Sequence, residues 1–189
     1  MSATSPYRPE FVDALELIGR ACVILRQRGV PLPILVGGAV VEFDTGSRIT
    51  SGDFDFVTAH EDAFAEALLA VGFLRENRRG RLKRGFYHPG MVIGVEIVSG
   101  QYFEGQADRG RVRILALDDG EVCMAPTEDM IADRLGQWEA SRRRDGELLV
   151  QATALYQLAE SLDEDYLEHR IRQETAGTFG IDVLRSPGP

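Results

Sequence analysis

Cysteine is scarce in this sequence, and so are lysine, tryptophan and long apolar runs. The two cysteines, Cys22 and Cys123, stand in no Cys-x-x-Cys motif and no Cys/His cluster. This excludes a disulfide framework and the common zinc sites, and we expect both thiols to be reduced core residues. No stretch approaches the roughly 18 apolar residues of a membrane span, and the N-terminus lacks the features of a secretion signal. We therefore expect a cytoplasmic protein.

The charge balance is acidic. The chain has 30 acidic and 21 basic residues, a net charge of −9 and a pI near 4.9. Because nucleic-acid affinity depends on Lys and Arg that displace counterions, this balance disfavours a general nucleic-acid binder. One stretch, the basic segment 75–84, departs from it and contains Arg75, Arg78, Arg79, Arg81, Lys83 and Arg84. It is either a solvated hairpin or a local contact for RNA or a triphosphate.

Hydrophobic spacing predicts an α/β (α+β) core over residues 1–124. Apolar residues at steps of three and four predict helices over about 9–28, 39–43 and 61–71. Runs of alternating or continuous apolar residues predict strands at 34–36, 53–57, 91–98, 111–117 and 121–124. The last two strands flank Asp118-Asp119-Gly120, which favours a hairpin turn.

From Pro126 the spacing becomes helical, and a C-terminal helical segment is predicted over 125–174. We expect Thr127 to cap its first helix and Asp163 to cap its third, with the second helix extending through Leu162. The tail over 175–189 contains Gly and Pro and is expected to be loosely attached.

The segment Asp53-Phe54-Asp55-Phe56 alternates carboxylate and aromatic side chains. Residues two apart on a strand share a face, so we expect Asp53 and Asp55 side by side with both aromatic rings buried behind them. At Cβ separations of about 6.5–7 Å, the carboxylates repel by about 2–3 kcal/mol at an effective dielectric constant of about 20. A divalent cation would turn this repulsion into attraction, and paired oxygens suit Mg²⁺ or Mn²⁺. The alternative is a solvated pair on an open sheet face.

Two further features accompany this pair. Glu96 interrupts an apolar strand, where an unpaired buried carboxylate is costly. It therefore either faces solvent or faces the Asp pair across neighbouring strands. The Gly37-Gly38 turn follows a short apolar strand, and two glycines let backbone N–H groups approach an anion at a helix start. The alternative for the two glycines is a simple tight turn.

Together these residues resemble the signature of the nucleotidyltransferase superfamily that includes DNA polymerase β. That signature is a hydrophobic residue, Gly-Gly or Gly-Ser, a spacer, and then Asp-hydrophobic-Asp-hydrophobic. Here it reads Val36-Gly37-Gly38 and Asp53-Phe54-Asp55-Phe56. The run from Arg48 to Asp55 is also similar to the Arg-x-Ser/Thr-x-Asp-x-Asp run of AbiEii-like, toxin-type members.

The resemblance implies a nucleotidyltransferase-type mixed β-sheet flanked by helices. It implies that Asp53, Asp55 and Glu96 are the catalytic carboxylates and bind Mg²⁺ or Mn²⁺. The nucleotide contacts that it implies are Gly37, Gly38, Arg48, Thr50, Ser51 and Arg134. The sequence departs from the pattern in a longer spacer that includes Gly52, in Gly38 where Ser is frequent, and in Arg134 where toxin-type members have Lys.

The leading hypothesis is magnesium-dependent transfer of a nucleoside monophosphate from a nucleoside triphosphate to a hydroxyl acceptor. The acceptor is a tRNA end, a small molecule or a protein side chain. The alternative is an inactive binding module of this fold, with a cognate protein partner in a toxin–antitoxin or phage-defence pair. A glycosyltransferase with a Mn²⁺ site at Asp-x-Asp is disfavoured, because too little sequence precedes Asp53 for the usual nucleotide-binding half. Without a Gly-x-Ser-x-Gly or Walker-type motif, serine hydrolases and P-loop NTPases are also disfavoured.

Overall fold

A computed structural model describes residues 5–76 and 85–185 of the chain. The chain divides into two units, Met1–Ala125 and Pro126–Pro189. No helix within the described ranges is both long and apolar enough to cross a membrane.

The first unit combines three helices with a sheet. Its helices are α1 (Pro9–Gln27), α2 (Gly38–Asp44) and α3 (Glu61–Ala70). Its strands are β1 (Ile34–Val36), β2 (Asp53–Val57), β3 (Leu74–Arg75), β4 (Gly85–Tyr87), β5 (Gly94–Ser99), β6 (Arg113–Leu117) and β7 (Gly120–Met124). Two short 3₁₀ segments, Tyr102–Gly105 and Arg109–Arg111, connect β5 to β6.

The strands form one mixed sheet in the order β3-β4-β5-β2-β1-β7-β6. The pairs β2–β5 and β1–β7 are parallel, and the other neighbouring pairs are antiparallel. Strand β2 thus lies near the centre of the sheet, between β1 and β5, where its backbone is paired on both sides.

Helices α1 and α3 cover one face of this sheet. The ring of Phe11 on α1 lies 5.2 Å from that of Phe54, and the ring of Phe64 on α3 lies 5.1 Å from that of Phe56. All four rings are buried. Because side chains alternate along β2, its two carboxylates lie on the opposite face.

The second unit is helical in the residues described. Its helices are α4 (Thr127–Ala140), α5 (Gly146–Leu158), α6 (Glu164–Glu174) and α7 (Asp182–Arg185). Helix α4 packs against α5 and α6. Its core residues include Met130, Ile131, Leu135, Ala152, Leu155, Leu167 and Ile171. Asp163 caps α6 by accepting a hydrogen bond from the backbone N–H of Tyr166, as predicted.

Several predicted boundaries in the sheet are displaced. The strand expected from Met91 begins at Gly94, and Val92 is 88% exposed. The strand expected from Arg111 begins at Arg113, because Asp108 caps a 3₁₀ segment over Arg109–Arg111 by accepting from Gly110 N–H at 2.8 Å. This local hydrogen bond competes with strand pairing and shortens β6.

The second unit also differs from expectation. Pro126, not Thr127, occupies the N-cap of α4, and α5 ends at Leu158 rather than continuing through Leu162. The tail that we expected to be loosely attached buries Ile181 and Leu184 within its described part. The ring of Phe179 also stacks on Trp138 at 5.1 Å, a contact that local composition does not reveal.

Both cysteines are free thiols. Burial raises the pKa of Cys22 to about 12, and burial also raises the pKa of the less enclosed Cys123. Since the thiolate is the nucleophile, a raised pKa disfavours reactivity of both cysteines near neutral pH.

Candidate active site

The two carboxylates of β2 lie on the face of the sheet opposite to α1 and α3. Asp53 is exposed and Asp55 is half-buried, whereas Phe54 and Phe56 between them are fully buried. The aromatic residues thus anchor the strand, and the alternation of the strand presents both carboxylates on its other side. The structure thus confirms the predicted arrangement of side chains along this segment.

Glu96 lies beside this pair on the neighbouring strand. Strands β2 and β5 run parallel, with Asp55 in register with Glu96 and Asp53 in register with Gly94. Val95 and Ile97 are buried, and Glu96 is exposed. Neighbouring strands are about 4.8 Å apart, and registered residues share a face, so three carboxylates occupy one small region of the sheet.

Glycines surround these carboxylates where any other residue would collide. A Cβ at Gly37 would overlap Oδ2 of Asp55, and a Cβ at Gly94 would lie 2.7 Å from Oδ1 of Asp53. Gly37 also has φ 72° and ψ −153°, a conformation essentially restricted to glycine. The backbone of the β1–α2 turn therefore lies directly against the carboxylate of Asp55. The turn thus has a structural reason for its glycine in addition to the proposed phosphate contact.

The electrostatic setting distinguishes the three carboxylates. Over residues 5–76 and 85–185, no side-chain hydrogen bond or ion pair engages Asp53 or Glu96, whereas Asp55 does have an interaction partner. The same ranges contain no group of three His, Cys, Asp or Glu side chains close enough to enclose a metal ion. An ion at this place would need further oxygen ligands, which suits Mg²⁺ because it binds through one or two carboxylates plus waters and substrate phosphates.

The loop between α2 and β2 contains three of the predicted nucleotide contacts. Arg48 and Thr50 are exposed. Ser51 is half-buried, and its hydroxyl donates to the backbone carbonyl of Asp53 at 2.8 Å. A Cβ on Gly38 would lie 2.7 Å from Ser51 Oγ, so Ser51 lies against the start of α2.

The remaining predicted contacts, Arg134 and the basic segment 75–84, lie outside this loop. Arg134 lies on α4 of the second unit, where its guanidinium pairs with Asp133 at 2.7 Å. Arg75 lies over the ring of Phe86 at 5.1 Å. The other basic residues of the segment 75–84, which are Arg78, Arg79, Arg81, Lys83 and Arg84, lie outside the described residues.

Sequence reasoning missed Glu42, which is fully buried on α2. Its carboxylate accepts from Nε and Nη2 of Arg8 at 2.6 and 2.9 Å, from Ser47 Oγ at 2.9 Å and from the Ser51 N–H at 2.6 Å. Burial by itself raises the pKa of Glu42, but these hydrogen bonds outweigh burial and leave its pKa below the ordinary value. A charged residue within the apolar run Ala39-Val40-Val41-Glu42-Phe43 was the available signal.

Comparison with solved structures identifies the fold. A nucleotidyltransferase-like antigenic protein from Paracoccidioides brasiliensis superposes with a TM-score of 0.64 at 14% identity, covering 95% of this chain and 94% of that one. The fold is nucleotidyltransferase-like. This confirms the predicted mixed sheet flanked by helices.

Two structures of the antibiotic-resistance factor ANT(2'')-Ia are also similar. The solution structure gives a TM-score of 0.56 at 15% identity, covering 87% of this chain and 92% of that one. The crystal structure with adenylyl-2''-tobramycin gives 0.54 at 12% identity, covering 87% and 98%. No protein-family model and no curated protein matches the sequence. The toxin-type subfamily therefore stays a prediction.

Proposed function

We propose that the protein transfers a nucleoside monophosphate from a nucleoside triphosphate to a hydroxyl acceptor and releases pyrophosphate. The observation that carries the proposal is the placing of Asp53, Asp55 and Glu96 on one open face of a nucleotidyltransferase-like sheet, with the Gly37 turn against Asp55. Two of these three carboxylates, Asp53 and Glu96, have no side-chain partner within the described ranges, so both are accessible to a ligand.

The residues present fit a magnesium ion. Asp53 and Asp55 would hold it through carboxylate oxygens, and phosphate oxygens of the substrate and waters would complete its ligands. A bound Mg²⁺ offsets the negative charge of the triphosphate and helps to orient it for in-line displacement. The short glycine turn would let backbone N–H groups approach the phosphates, since the glycines themselves carry no side chain.

The reaction itself is a substitution at phosphorus. The acceptor oxygen forms a bond to the α-phosphorus, and the bond from that phosphorus to the bridging oxygen breaks, so that pyrophosphate leaves. Glu96 is the candidate group to take the proton of the acceptor hydroxyl, because it is exposed beside Asp55 and ionised carboxylates accept hydrogen bonds.

The experiment is calorimetric titration of ATP, CTP, GTP and UTP into the protein, with and without Mg²⁺. We expect magnesium-dependent binding of at least one triphosphate and its loss in a double Asp53→Ala, Asp55→Ala variant. The matched control is Asp118→Ala, Asp119→Ala, which removes two exposed carboxylates from the β6–β7 turn of the same unit.

Each result has a definite meaning. Binding that survives the double variant would refute the assignment of this site. Absence of binding by folded wild-type protein would refute the transferase proposal and favour an inactive module of this fold with a protein partner.

A further inference from the structure

The carboxylate of Glu42 joins three separate stretches of the first unit. Arg8 immediately precedes α1, Glu42 lies in α2 just after the Gly37-Gly38 turn, and Ser51 lies two residues before Asp53. Glu42 accepts hydrogen bonds from Arg8 and from the backbone N–H of Ser51. One buried group on α2 therefore ties Arg8 and the loop before β2 to that helix.

Arg8 closes this network from its other side. Its Nη2 donates to the backbone carbonyl of Ser51, and its own backbone N–H donates to Ser47 Oγ at 3.2 Å. The Ser47 hydroxyl in turn donates to Glu42 at 2.9 Å. Both polar groups of the Ser51 backbone are thus held by the same ion pair, while the Ser51 hydroxyl holds the carbonyl of Asp53.

Stability alone does not explain why an ion pair occupies this place. Replacing a buried ion pair by apolar residues of similar volume is often neutral or stabilising, because desolvation offsets much of the attraction. Unlike apolar residues, the ion pair forms hydrogen bonds with a defined direction. Charged hydrogen bonds fix donor and acceptor atoms at defined angles, and here they fix the residues directly before Asp53.

We propose that Arg8 and Glu42 form a positioning latch that holds Ser51 against Gly38 at the start of α2, and through Ser51 fixes the position of Asp53. The latch touches no substrate and acts through the carboxylate that it places. The inference rests on the proposed function, because the position of Asp53 matters only if Asp53 binds the metal and its nucleotide.

Glu42→Gln tests the latch. It keeps the shape of the side chain and removes the negative charge to which Arg8 and the Ser51 N–H donate. The control is Asp44→Asn in the same helix, which loses a comparable ion pair, that with Arg113 at 2.8 Å. A second variant, Arg8→Lys, keeps the charge but loses the forked contact, in case Glu42→Gln does not fold.

Two readouts separate the latch from a general loss of stability. The first is the Kd of the magnesium–triphosphate complex, measured on folded protein. We expect a weakening of about 10-fold to 100-fold in Glu42→Gln, as for groups that orient metal ligands from behind, and a smaller effect in Arg8→Lys and in Asp44→Asn. The second is hydrogen exchange of the amides over 47–53, which should accelerate in Glu42→Gln and in Arg8→Lys but not in Asp44→Asn.

The outcomes distinguish the latch from the proposed function. Wild-type Kd in Glu42→Gln, or equal weakening in Asp44→Asn, would overturn the latch while leaving the proposed function intact. If wild-type protein binds no triphosphate, the proposed function fails, and hydrogen exchange alone decides whether Glu42 orders the loop. Unchanged exchange over 47–53 in Glu42→Gln would then overturn the latch as well.

Discussion

The two units of this protein treat their carboxylates in opposite ways. In the second unit Asp129 is fully buried and accepts from Nε of Arg170 at 2.8 Å and from the hydroxyl of Tyr166 at 2.8 Å. Arg170, also fully buried, pairs in addition with Glu174 at 2.5 Å. In the first unit Asp53 and Glu96 face solvent with no partner among the residues described.

The difference distinguishes carboxylates that hold the fold together, called structural here, from exposed carboxylates that are available to bind a ligand. Burial in the second unit requires partners, because an unpaired buried charge is costly, and those partners join α4 to α6. Asp53 and Glu96 in the first unit contribute no such link and are accessible to a ligand. Glu42 shows that the first unit, too, can bury and satisfy a carboxylate where structure requires it.

The largest expected effect on stability comes from removing the cation that pairs with the buried Asp129. Arg170→Met keeps most of the side-chain volume but leaves Asp129 buried without its cation, and should lower the free energy of unfolding by about 3–5 kcal/mol. Urea unfolding followed by tryptophan fluorescence measures it, because the single tryptophan, Trp138, lies on α4.

Arg172→Met in the same helix is the control for that change. Arg172 is exposed, and among the described residues its one ion pair is with Glu168 at 2.6 Å, one turn away. Its loss should therefore change stability by less than about 1 kcal/mol. Equal effects of the two substitutions would contradict the view that burial makes the Asp129–Arg170 pair structural.

A smaller effect on stability is expected from Gly37→Ala, beside the carboxylates of the first unit. The new Cβ would overlap the Asp55 carboxylate, and the backbone conformation is one that alanine avoids, at a strain of about 1–3 kcal/mol. We expect a lower melting temperature together with loss of magnesium–triphosphate binding, measured by circular dichroism and calorimetry.

Gly146→Ala provides the matched glycine control in the second unit. Gly146 begins α5, and a Cβ there meets nothing within 4 Å, so stability should be unchanged or slightly higher. Triphosphate binding that survives Gly37→Ala would show that the close approach of this turn to Asp55 is not part of the site.

Local pattern was enough to predict much of the fold and the neighbourhood of Asp53. The alternation in Asp53-Phe54-Asp55-Phe56 dictates which side chains are buried, since a strand has only two faces. For Glu96 the apolar neighbours left two settings open, facing solvent or facing the Asp pair. Its register beside Asp55 depends on the pairing of β2 with β5. The roles of these residues remain predictions.

Contacts between distant parts of the chain could not be predicted in this way. Arg8 and Glu42 are 34 positions apart, and only the folded chain shows that they enclose Ser51. Trp138 and Phe179 are similarly separated, which is why composition alone suggested a loose tail. Strands β3 and β4 are only two and three residues long, too short for any periodicity to appear.

The smallest expected effect on stability is that of Asp53→Asn, and it is informative because of its sign. Two carboxylates about 6.5 Å apart repel by about 0.6 kcal/mol in bulk water, the limit suited to an exposed residue. Removing one charge should therefore leave the melting temperature unchanged or raise it by about 1–2 °C, while magnesium–triphosphate binding is lost. Asp165→Asn removes an exposed carboxylate from the first turn of α6, where it favours the helix, and should act in the opposite direction on stability without changing binding. If Asp53→Asn instead lowered the melting temperature, Asp53 would have a structural partner like Asp129, and the contrast between available and structural carboxylates would fail at the residue on which the proposed function most depends.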